Sequence, residues 1–308
     1  MELEWEGPVR QLDGEIANIR RVNPDDDRIK SLEEDREARL RDLYQELSPW
    51  QTVQVARHRD RPYLLDYIKW MFTDFVEVHG DRRFGDDRAI LGGPALLDGT
   101  PLMVIGHQKG RDTASNLMHN FGMPNPEGYR KAIRLFRHAE KLGLPVLTLV
   151  DTPGANPSLP AEERGQAQAI AESIAVMLSL RVPTICVVTG EGGSGGALAI
   201  AVADRLAMLQ YSILTVASPE AAASILWRDA SQAPEAAAVM RITGPELVEL
   251  GIVDSLIPEP PGGAHRDHAG AARLLREHVL AMLEELRGED VEDLIRKRHD
   301  KYRNIGRP

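Results

Sequence analysis

The sequence predicts an α/β fold built around a largely parallel sheet, and three observations support this prediction. Strand-like and helix-like segments alternate from Pro145 onward, which is the pattern of parallel strands joined by helical crossovers. The segments VLTLV (146–150) and TICVV (184–188) are apolar throughout, as expected of strands covered on both faces. The dipeptide Asp98-Gly99 separates two apolar runs and is a strong hairpin signal.

The chain is predicted to begin with a helical arm and to end with a charged tail. Apolar residues recur at roughly helical spacing between Asp25 and Leu47, and the other faces of that helix are charged. We expect a solvated arm over residues 1–48, and the alternative is an arm that lies on the body of the protein or on a partner. The main domain is expected over 49–288, and the tail over 289–308 is expected to be frayed.

The predicted elements of the main domain follow the same periodicity argument. They are a helix over 62–78, a charged loop over 79–88, strands over 90–97 and 101–107, a helix over 127–142, a strand over 145–150, a helix over 162–180, a strand over 183–189, a helix over 197–209, a strand over 213–217, a helix from 219 and a helix over 269–287.

Composition excludes several classes of protein. The 308 residues carry 37 Lys and Arg against 47 Asp and Glu, a net charge of −10, which argues against a general nucleic-acid binder. The single cysteine, Cys186, excludes an intrachain disulfide and a four-cysteine zinc site, and we expect it to be a buried packing residue. The acidic N-terminus is unlike a signal peptide, and the apolar run over 197–209 is too short to span a bilayer, so we expect a cytoplasmic protein.

The segment from Gly190 to Ala197 is the most informative of the sequence. Four of the six residues from Glu191 to Gly196 are glycine, between a buried strand and an apolar helix. The first N–H groups of a helix have no intrahelical partner and favour an anionic oxygen. We therefore predict a turn whose backbone binds an anion.

Other interpretations of this segment stay open at this point. Gly190-x-Gly192-x-x-Gly195 matches a dinucleotide fingerprint, which expects an acidic residue about 20 positions later. Glu220 lies 25 positions after Gly195 and beyond Pro219, so it fits poorly. Gly192-x-Ser194-x-Gly196 matches the nucleophile elbow of serine hydrolases, for which Asp254 and His265 would follow in the right order. A purely structural tight turn is the remaining alternative.

A second turn, Asp151-Thr152-Pro153-Gly154-Ala155, also follows a buried strand. The chain has no Gly-x-x-x-x-Gly-Lys-Ser/Thr loop, so a P-loop GTPase is excluded. Both turns are expected at the carboxyl ends of parallel strands, where open α/β sheets bind ligands. Backbone donors without a nucleophile or a metal ligand favour stabilisation of an oxyanion, as in reactions of thioesters or ureas.

Six separated motifs occur in an order that resembles a known family. The chain resembles the carboxyltransferase alpha subunit of bacterial multisubunit acetyl-CoA carboxylase. The motifs are HQKGR (107–111), NFGMPNPEGYRKA (120–132), DTPGA (151–155), AEERGQ (161–166), GEGGSGGALAI (190–200) and PEPPGGAHR (258–266). The resemblance implies a crotonase-like fold, a spiral of ββα units with an N-terminal helical arm. It also implies transfer of a carboxyl group from carboxybiotin to acetyl-CoA, giving malonyl-CoA for fatty acid biosynthesis.

The resemblance also implies partners and a division of labour. Biotin would arrive on a separate biotin carboxyl carrier protein, after loading by biotin carboxylase. A beta subunit, in an assembly of two alpha and two beta chains, would supply the acyl-CoA site and a four-cysteine zinc ribbon. No metal is expected in this chain, which would be active only with its beta subunit. A catalytically silent scaffold that assembles other subunits is an alternative function.

The site residues follow from the same resemblance. The backbone of Gly195, Gly196 and Ala197 would hold the ureido oxygen of biotin. The remaining pocket residues are expected to be Gly154, Ala155, Gly192 and Gly193.

Two basic residues are candidates from charge rather than from the glycine pattern. Lys109 and Arg111 flank Gly110 and are candidates for a CoA phosphate, with solvated or partner-binding charges as the alternative.

The sequence departs from the family pattern in two places. Asn156, Pro157 and Ser158 stand where Tyr-Pro-Gly is usual, and Ala221-Ala222 stand where Gly-Cys is usual. We expect these changes to alter a pocket wall or its flexibility while leaving the backbone donors in place.

Overall fold

A seven-stranded mixed sheet lies at the centre of the computed structural model, which describes residues 3–307. In space the strands lie in the order β1-β2-β3-β4-β5-β7, and β6 pairs with the outer half of β4. The β1/β2 pair is antiparallel and the other pairs are parallel, as the alternation of strands and helices predicts. The strands are β1 (Ile90–Leu97), β2 (Thr100–His107), β3 (Val146–Thr152), β4 (Thr184–Gly193), β5 (Arg205–Leu209), β6 (Ile213–Thr215) and β7 (Ser255–Ile257).

Helices precede the sheet, cover both of its faces and close the chain. The α-helices are α1 (Gly7–Val22), α2 (Arg28–Gln45), α3 (Pro49–Ala56), α4 (Leu64–Met71), α5 (Thr113–Met118), α6 (Pro126–Leu142), α7 (Leu159–Glu163), α8 (Gln166–Ser179), α9 (Ser194–Leu198), α10 (Pro219–Trp227), α11 (Ala233–Met240), α12 (Gly244–Glu249), α13 (His268–Leu286) and α14 (Val291–Asn304). Among residues 3–307, no helix combines the length and the apolar character needed to cross a bilayer.

The sheet is buried on both faces, which explains why its central strands are apolar throughout. Successive residues of a strand point to opposite faces. Val146 and Val150 of β3 pack into the core formed with α6 and α8, whereas Leu147 and Leu149 pack into the core formed with α4 and α13. Cys186 of β4 is fully buried in the first of these cores, so its predicted packing role is confirmed.

The predicted hairpin is confirmed, and its edge is covered in an unexpected way. Asp98 and Gly99 both adopt positive φ, +48° and +77°, as a tight two-residue turn requires.

The helix predicted over 62–78 ends at Met71, and residues 73–78 instead run extended along β1. Thr73 exchanges two backbone hydrogen bonds of 2.9 Å with Leu96, which satisfies an edge that would otherwise be unpaired.

The helix predicted over 197–209 is also wrong beyond Leu198. Helix α9 ends at Leu198, and Arg205–Leu209 forms β5, which pairs with β4. Periodicity does not separate a short buried strand from a buried helix. Asp204 marks the start of the strand, because its Oδ2 accepts hydrogen bonds of 2.8 Å from the backbone N–H and the hydroxyl of Thr184 on β4.

The C-terminal tail is folded, so the expectation of a frayed tail is wrong. Helix α14 places Arg298, 1% exposed, against the body of the protein. Its guanidinium pairs with Asp204 at 2.7 and 2.8 Å. It also donates to the carbonyl oxygens of Met177, Leu180 and Val182. The five hydrogen bonds of Arg298 therefore join the tail to the segments that follow α8 and precede β5.

The N-terminal arm is a pair of helices, α1 and α2, whose base packs on the body. Tyr44 is buried in one cluster with Tyr211, which precedes β6. Arg266 of the PEPPGGAHR motif donates to Glu6 at 2.6 Å and to Asp13 at 3.1 Å. The expectation of a merely solvated arm is therefore wrong at its base, and the motif anchors it there.

Candidate functional site

The glycine segment is a strand before it is a turn. The predicted turn begins only after Gly193, because β4 continues through Gly192 and Gly193. Gly192 pairs with Leu214 of β6 on one side and with Thr152 of β3 on the other. The chain then bends at Ser194, whose φ of +51° lies in the left-handed region, and enters the short helix α9.

The bend and the turn after β3 lie against each other, which brings most of the predicted site residues together. A methyl group at Gly196 would lie 2.5 Å from the Ala155 nitrogen, and one at Gly193 would lie 2.1 Å from the Pro153 oxygen. Both distances are too short for any side chain, so glycine is required at both positions. The backbone of Gly154 and Ala155 therefore packs directly on the bend.

Backbone N–H groups are the polar groups that this junction offers. Helix α9 begins at Ser194, and among residues 3–307 no side chain caps its first turn. Such first-turn N–H groups have no intrahelical acceptor. Ser194 is exposed and Gly195 is half-buried, whereas Gly196 and Ala197 are buried. The Gly154 N–H is already accepted by the Thr152 hydroxyl oxygen at 3.0 Å.

A buried carboxylate holds the two turns and the loop after β2 together. Asp151, at the end of β3, has a side chain that is 4% exposed. Its Oδ1 accepts the Glu191 N–H at 3.0 Å and the Lys109 ammonium at 2.5 Å. Lys109, a candidate for a CoA phosphate, thus reaches the site but is committed to an ion pair within the chain.

Arg111, the other phosphate candidate, follows β2 and packs against the start of α4, away from the two turns. Its guanidinium donates to Asp66 at 2.6 Å and to the Arg61 carbonyl at 2.8 Å. It also stacks over the Tyr63 ring, 4.6 Å from the centroid. A role for this pair in phosphate binding stays a prediction.

Two arginines that the sequence analysis did not single out fix the strand beneath the bend. Arg57 donates to Glu191 at 2.6 and 2.8 Å and to Glu220 of α10 at 2.6 Å. Arg61, fully buried, pairs with Glu259 at 2.8 and 2.9 Å. Arg61 also donates to the Thr189 carbonyl of β4 at 2.7 Å. Both arginines lie in the polar run Arg57-His58-Arg59-Asp60-Arg61, in which no local pattern distinguishes them.

Asn156, a departure from the family pattern, is integrated into the wall of the second turn. Its side-chain nitrogen donates to Asn125 Oδ1 at 2.8 Å, and its side-chain oxygen accepts the Ser158 N–H at 3.0 Å. Its own N–H donates to the Pro124 carbonyl at 3.0 Å. Asparagine therefore ties this turn to the NFGMPNPEGYRKA motif.

The geometry removes the serine hydrolase interpretation. Asp254 accepts the Leu206 N–H at 2.6 Å and pairs with Lys301, both away from the bend. His265 stacks on His58 with ring centroids 4.2 Å apart. Among the described residues, neither group bonds the Ser194 hydroxyl, so the Asp254–His265–Ser194 triad is wrong.

His107, the last residue of β2, is buried under the bend. The carbonyl oxygens of Gly196 and Leu149 lie near its ring, but within residues 3–307 neither ring nitrogen has a partner with hydrogen-bond geometry. Burial, reinforced by the charge of Lys109, lowers the pKa of His107 to about 3. His107 is therefore neutral at physiological pH.

The protein is expected to lose stability as the pH falls below 6.5. Burial also lowers the pKa of His265 to about 2, with the charge of His58 contributing next. For both groups the unfolded chain binds the proton and the folded chain does not, so their penalty is absent above pH 6.5 and grows below it. Each histidine should lower the free energy of unfolding by about 2 kcal/mol by pH 5.

Urea unfolding at pH 7.5 and 5 measures this loss of stability. His107→Gln should reduce it and the exposed His299→Gln should leave it unchanged; equal losses in all three proteins would contradict the assignment.

No group of three or more His, Cys, Asp or Glu side chains in residues 3–307 is arranged to hold a metal ion. Cys186 is buried, and burial raises the pKa of its thiol to about 12, so it stays protonated.

Comparisons with known proteins give a consistent result. A family model described as acetyl co-enzyme A carboxylase carboxyltransferase-like matches residues 2–306. The chain is 53% identical over 310 residues to the acetyl-coenzyme A carboxylase carboxyl transferase subunit alpha of Geobacter metallireducens, covering 99% of this chain and 98% of that protein. It is 52% identical over 311 residues to the subunit of the same name from Pseudomonas aeruginosa strain UCBPP-PA14, with the same coverage.

Solved structures show the same fold at lower identity. Transcarboxylase 12S with bound methylmalonyl-coenzyme A superposes with a TM-score of 0.61 and 20% identity, over 75% of this chain and 42% of that one. A Pseudomonas malonate decarboxylase hetero-tetramer in complex with coenzyme A gives 0.58 and 21%, over 70% of this chain and 86% of that one. At these identities the structures support the fold alone, and they confirm the predicted crotonase-like class.

Proposed function

The chain belongs to the family of acetyl-CoA carboxylase carboxyltransferase alpha subunits, and we propose that its glycine bend serves the biotin side of carboxyl transfer. The reaction moves a carboxyl group from carboxybiotin on a carrier protein to acetyl-CoA and yields malonyl-CoA. The observation that carries the proposal is the junction of two backbone turns, Gly154-Ala155 and Gly195-Gly196, in direct contact.

The junction fits the ring of biotin by its chemistry. Residues Gly192 to Leu198 carry no charged side chain, and the first turn of α9 has backbone donors without a side-chain cap among the described residues. A ureido carbonyl is an acceptor, so it needs donors of this kind. When bound, carboxybiotin supplies the carboxyl group and accumulates negative charge on its ureido oxygen. Donors fixed before that charge develops stabilise it without reorganisation.

This chain's side chains hold the donors rather than react. Asp151 joins the end of β3 to the Glu191 N–H just before the bend, and Lys109 neutralises it. Arg57 fixes Glu191 from the other side. We assign these three as positioning residues, and the backbone of Gly195, Gly196 and Ala197 as the binding groups, with Gly154, Ala155, Gly192 and Gly193 forming the wall.

The acyl-CoA end of the reaction is assigned to a partner. We propose a zinc-bearing beta subunit in an assembly of two alpha and two beta chains. The biotin carboxyl carrier protein delivers carboxybiotin to this assembly after biotin carboxylase has loaded it. Exposed apolar side chains support the presence of a partner that covers them. Ile225 of α10 is 77% exposed and Leu117 of α5 is 64% exposed. A partner that covers these helices would complete the site.

Reconstitution tests the proposed function. The purified chain alone is expected to be inactive, and mixing it with the zinc-bearing beta subunit should produce malonyl-CoA decarboxylation in the presence of free biotin. Ser194→Gly, which keeps the positive φ accessible, should retain most of this activity because the hydroxyl has no chemical role. Absence of activity at every mixing ratio would favour the scaffold alternative.

A further inference from the structure

A second feature of the molecule, away from the two turns, is a cavity lined by cations. It has a volume of about 270 Å³ and lies between the loop 79–86 and the faces of α6 and α8. Its cationic lining consists of four arginines, Arg83, Arg130, Arg134 and Arg137. In a chain with a net charge of −10, such a concentration of arginine needs an explanation.

The carboxylates of the cavity neutralise only part of these charges. Asp81 pairs with Arg130 at 3.9 Å, and its Oδ1 accepts the N–H groups of Arg83, Phe84 and Gly85 at 2.8 to 3.0 Å. Arg130 also pairs with Glu127 at 3.6 Å. Glu172 approaches Arg137 at 3.4 Å, with both groups partly exposed. Exposed ion pairs of this kind have a small interaction free energy. Positive charge therefore remains in excess.

Two of the cations, Arg130 and Arg134, are held in position before any ligand arrives. Arg130 donates to the Arg164 carbonyl oxygen, and Arg134 donates to the carbonyl oxygens of Gly80 at 2.7 Å and His79 at 2.8 Å. Within residues 3–307, the Arg83 side chain has no hydrogen bond or ion pair and is left for a ligand. The loop is closed by the Asp81 N–H, which donates to Gly85 O at 2.8 Å. Burial, and then the charge of Arg82, lowers the pKa of Arg134, as expected where positive groups crowd together.

We propose that this cavity binds a ligand that carries two or more adjacent phosphate groups. The planar guanidinium donates two parallel hydrogen bonds to a phosphate, which makes arginine the preferred residue for such groups. Arg130, Arg134 and Arg137 occupy successive turns of α6 and span about 10 Å along its axis, more than a single phosphate needs. Lys109 and Arg111, the cations that the sequence suggested for phosphate, are already engaged elsewhere.

Titration calorimetry of the full chain with pyrophosphate and with ADP tests the proposal. We expect both probes to bind, inorganic phosphate to bind more weakly, and rising salt to weaken all three. Arg83→Ala combined with Arg137→Ala should reduce the affinity at least tenfold. Both positions are exposed, so the variant should fold, which its thermal unfolding checks. The matched control is Arg303→Ala, an exposed arginine of α14, which should bind like the unchanged chain.

The lysine counterparts and the assembled complex sharpen the result. Arg83→Lys combined with Arg137→Lys keeps the positive charges but removes the paired donors of the guanidinium groups. This variant should bind pyrophosphate and ADP with intermediate affinity. If the alanine variant also raises the KM for acetyl-CoA in the complex, the occupant is the diphosphate of CoA; an unchanged KM identifies a separate phosphate ligand. No binding of pyrophosphate or ADP at millimolar concentration, or equal losses in the Arg303→Ala control, would overturn the proposal.

Discussion

Replacement of Gly196 by valine is expected to abolish carboxyl transfer in the complex reconstituted with the beta subunit. The structure directs the new side chain against the turn that follows β3. A Cβ at this position lies 2.5 Å from the Ala155 nitrogen and 2.6 Å from the Gly154 carbonyl carbon, so the two turns must separate. Loss of aligned donors costs about 10²–10³-fold in rate.

The neighbouring glycine provides a matched control. A Cβ at Gly195 would meet Ile170 at 3.6 Å, an ordinary contact, so Gly195→Ala should retain most of the activity. Malonyl-CoA decarboxylation with free biotin gives the rates, and thermal unfolding with a test of assembly separates a local from a global effect. A normal rate in a folded, assembled Gly196→Val complex would show that the junction is not the site.

Asp204→Ala is expected to produce the largest loss of stability. The substitution leaves the guanidinium of Arg298 buried without its counter-ion, and breaking a buried pair in this way costs about 3–5 kcal/mol in the free energy of unfolding. It also removes the acceptor of the Thr184 N–H at the start of β4. Urea unfolding followed by circular dichroism measures the change.

Two further variants make this test specific. Arg296→Ala removes an exposed arginine of the same helix and should change the unfolding free energy by no more than about 0.5 kcal/mol. Asp204→Leu combined with Arg298→Met should recover part of the loss, because an apolar pair of similar volume leaves no unpaired charge. If Asp204→Ala is as mild as Arg296→Ala, the tail is not docked as described.

Local signals in the sequence predicted the elements that local interactions determine. The Asp98-Gly99 turn specifies its hairpin, and the apolar runs of β3 and β4 indicate a sheet covered on both faces. The sequence failed where a remote partner decides. Residues 73–78 have helical periodicity, yet they become extended because the edge of β1 offers hydrogen bonds.

The candidate site shows the same limit. The glycines could be identified from their spacing and from the family resemblance, but the end of β4 could not, because pairing of Gly192 with Leu214 extends the strand. Arg57 lies 134 residues from Glu191, and Arg61 lies 198 residues from Glu259. Ion pairs over such separations leave no local pattern, so the groups that support the bend emerge only from the folded chain.

A binding site made of main chain, as proposed for the junction of the two turns, has an unusual genetic signature. Scanning mutagenesis normally reveals a functional position by deleting a side chain, and here there is nothing to delete. Gly193 and Gly196 respond to addition of a single methyl group, since the Pro153 oxygen and the Ala155 nitrogen already occupy that volume. At the proposed site, loss of function should therefore arise from gained atoms, and a survey restricted to truncating substitutions at polar residues would not detect it.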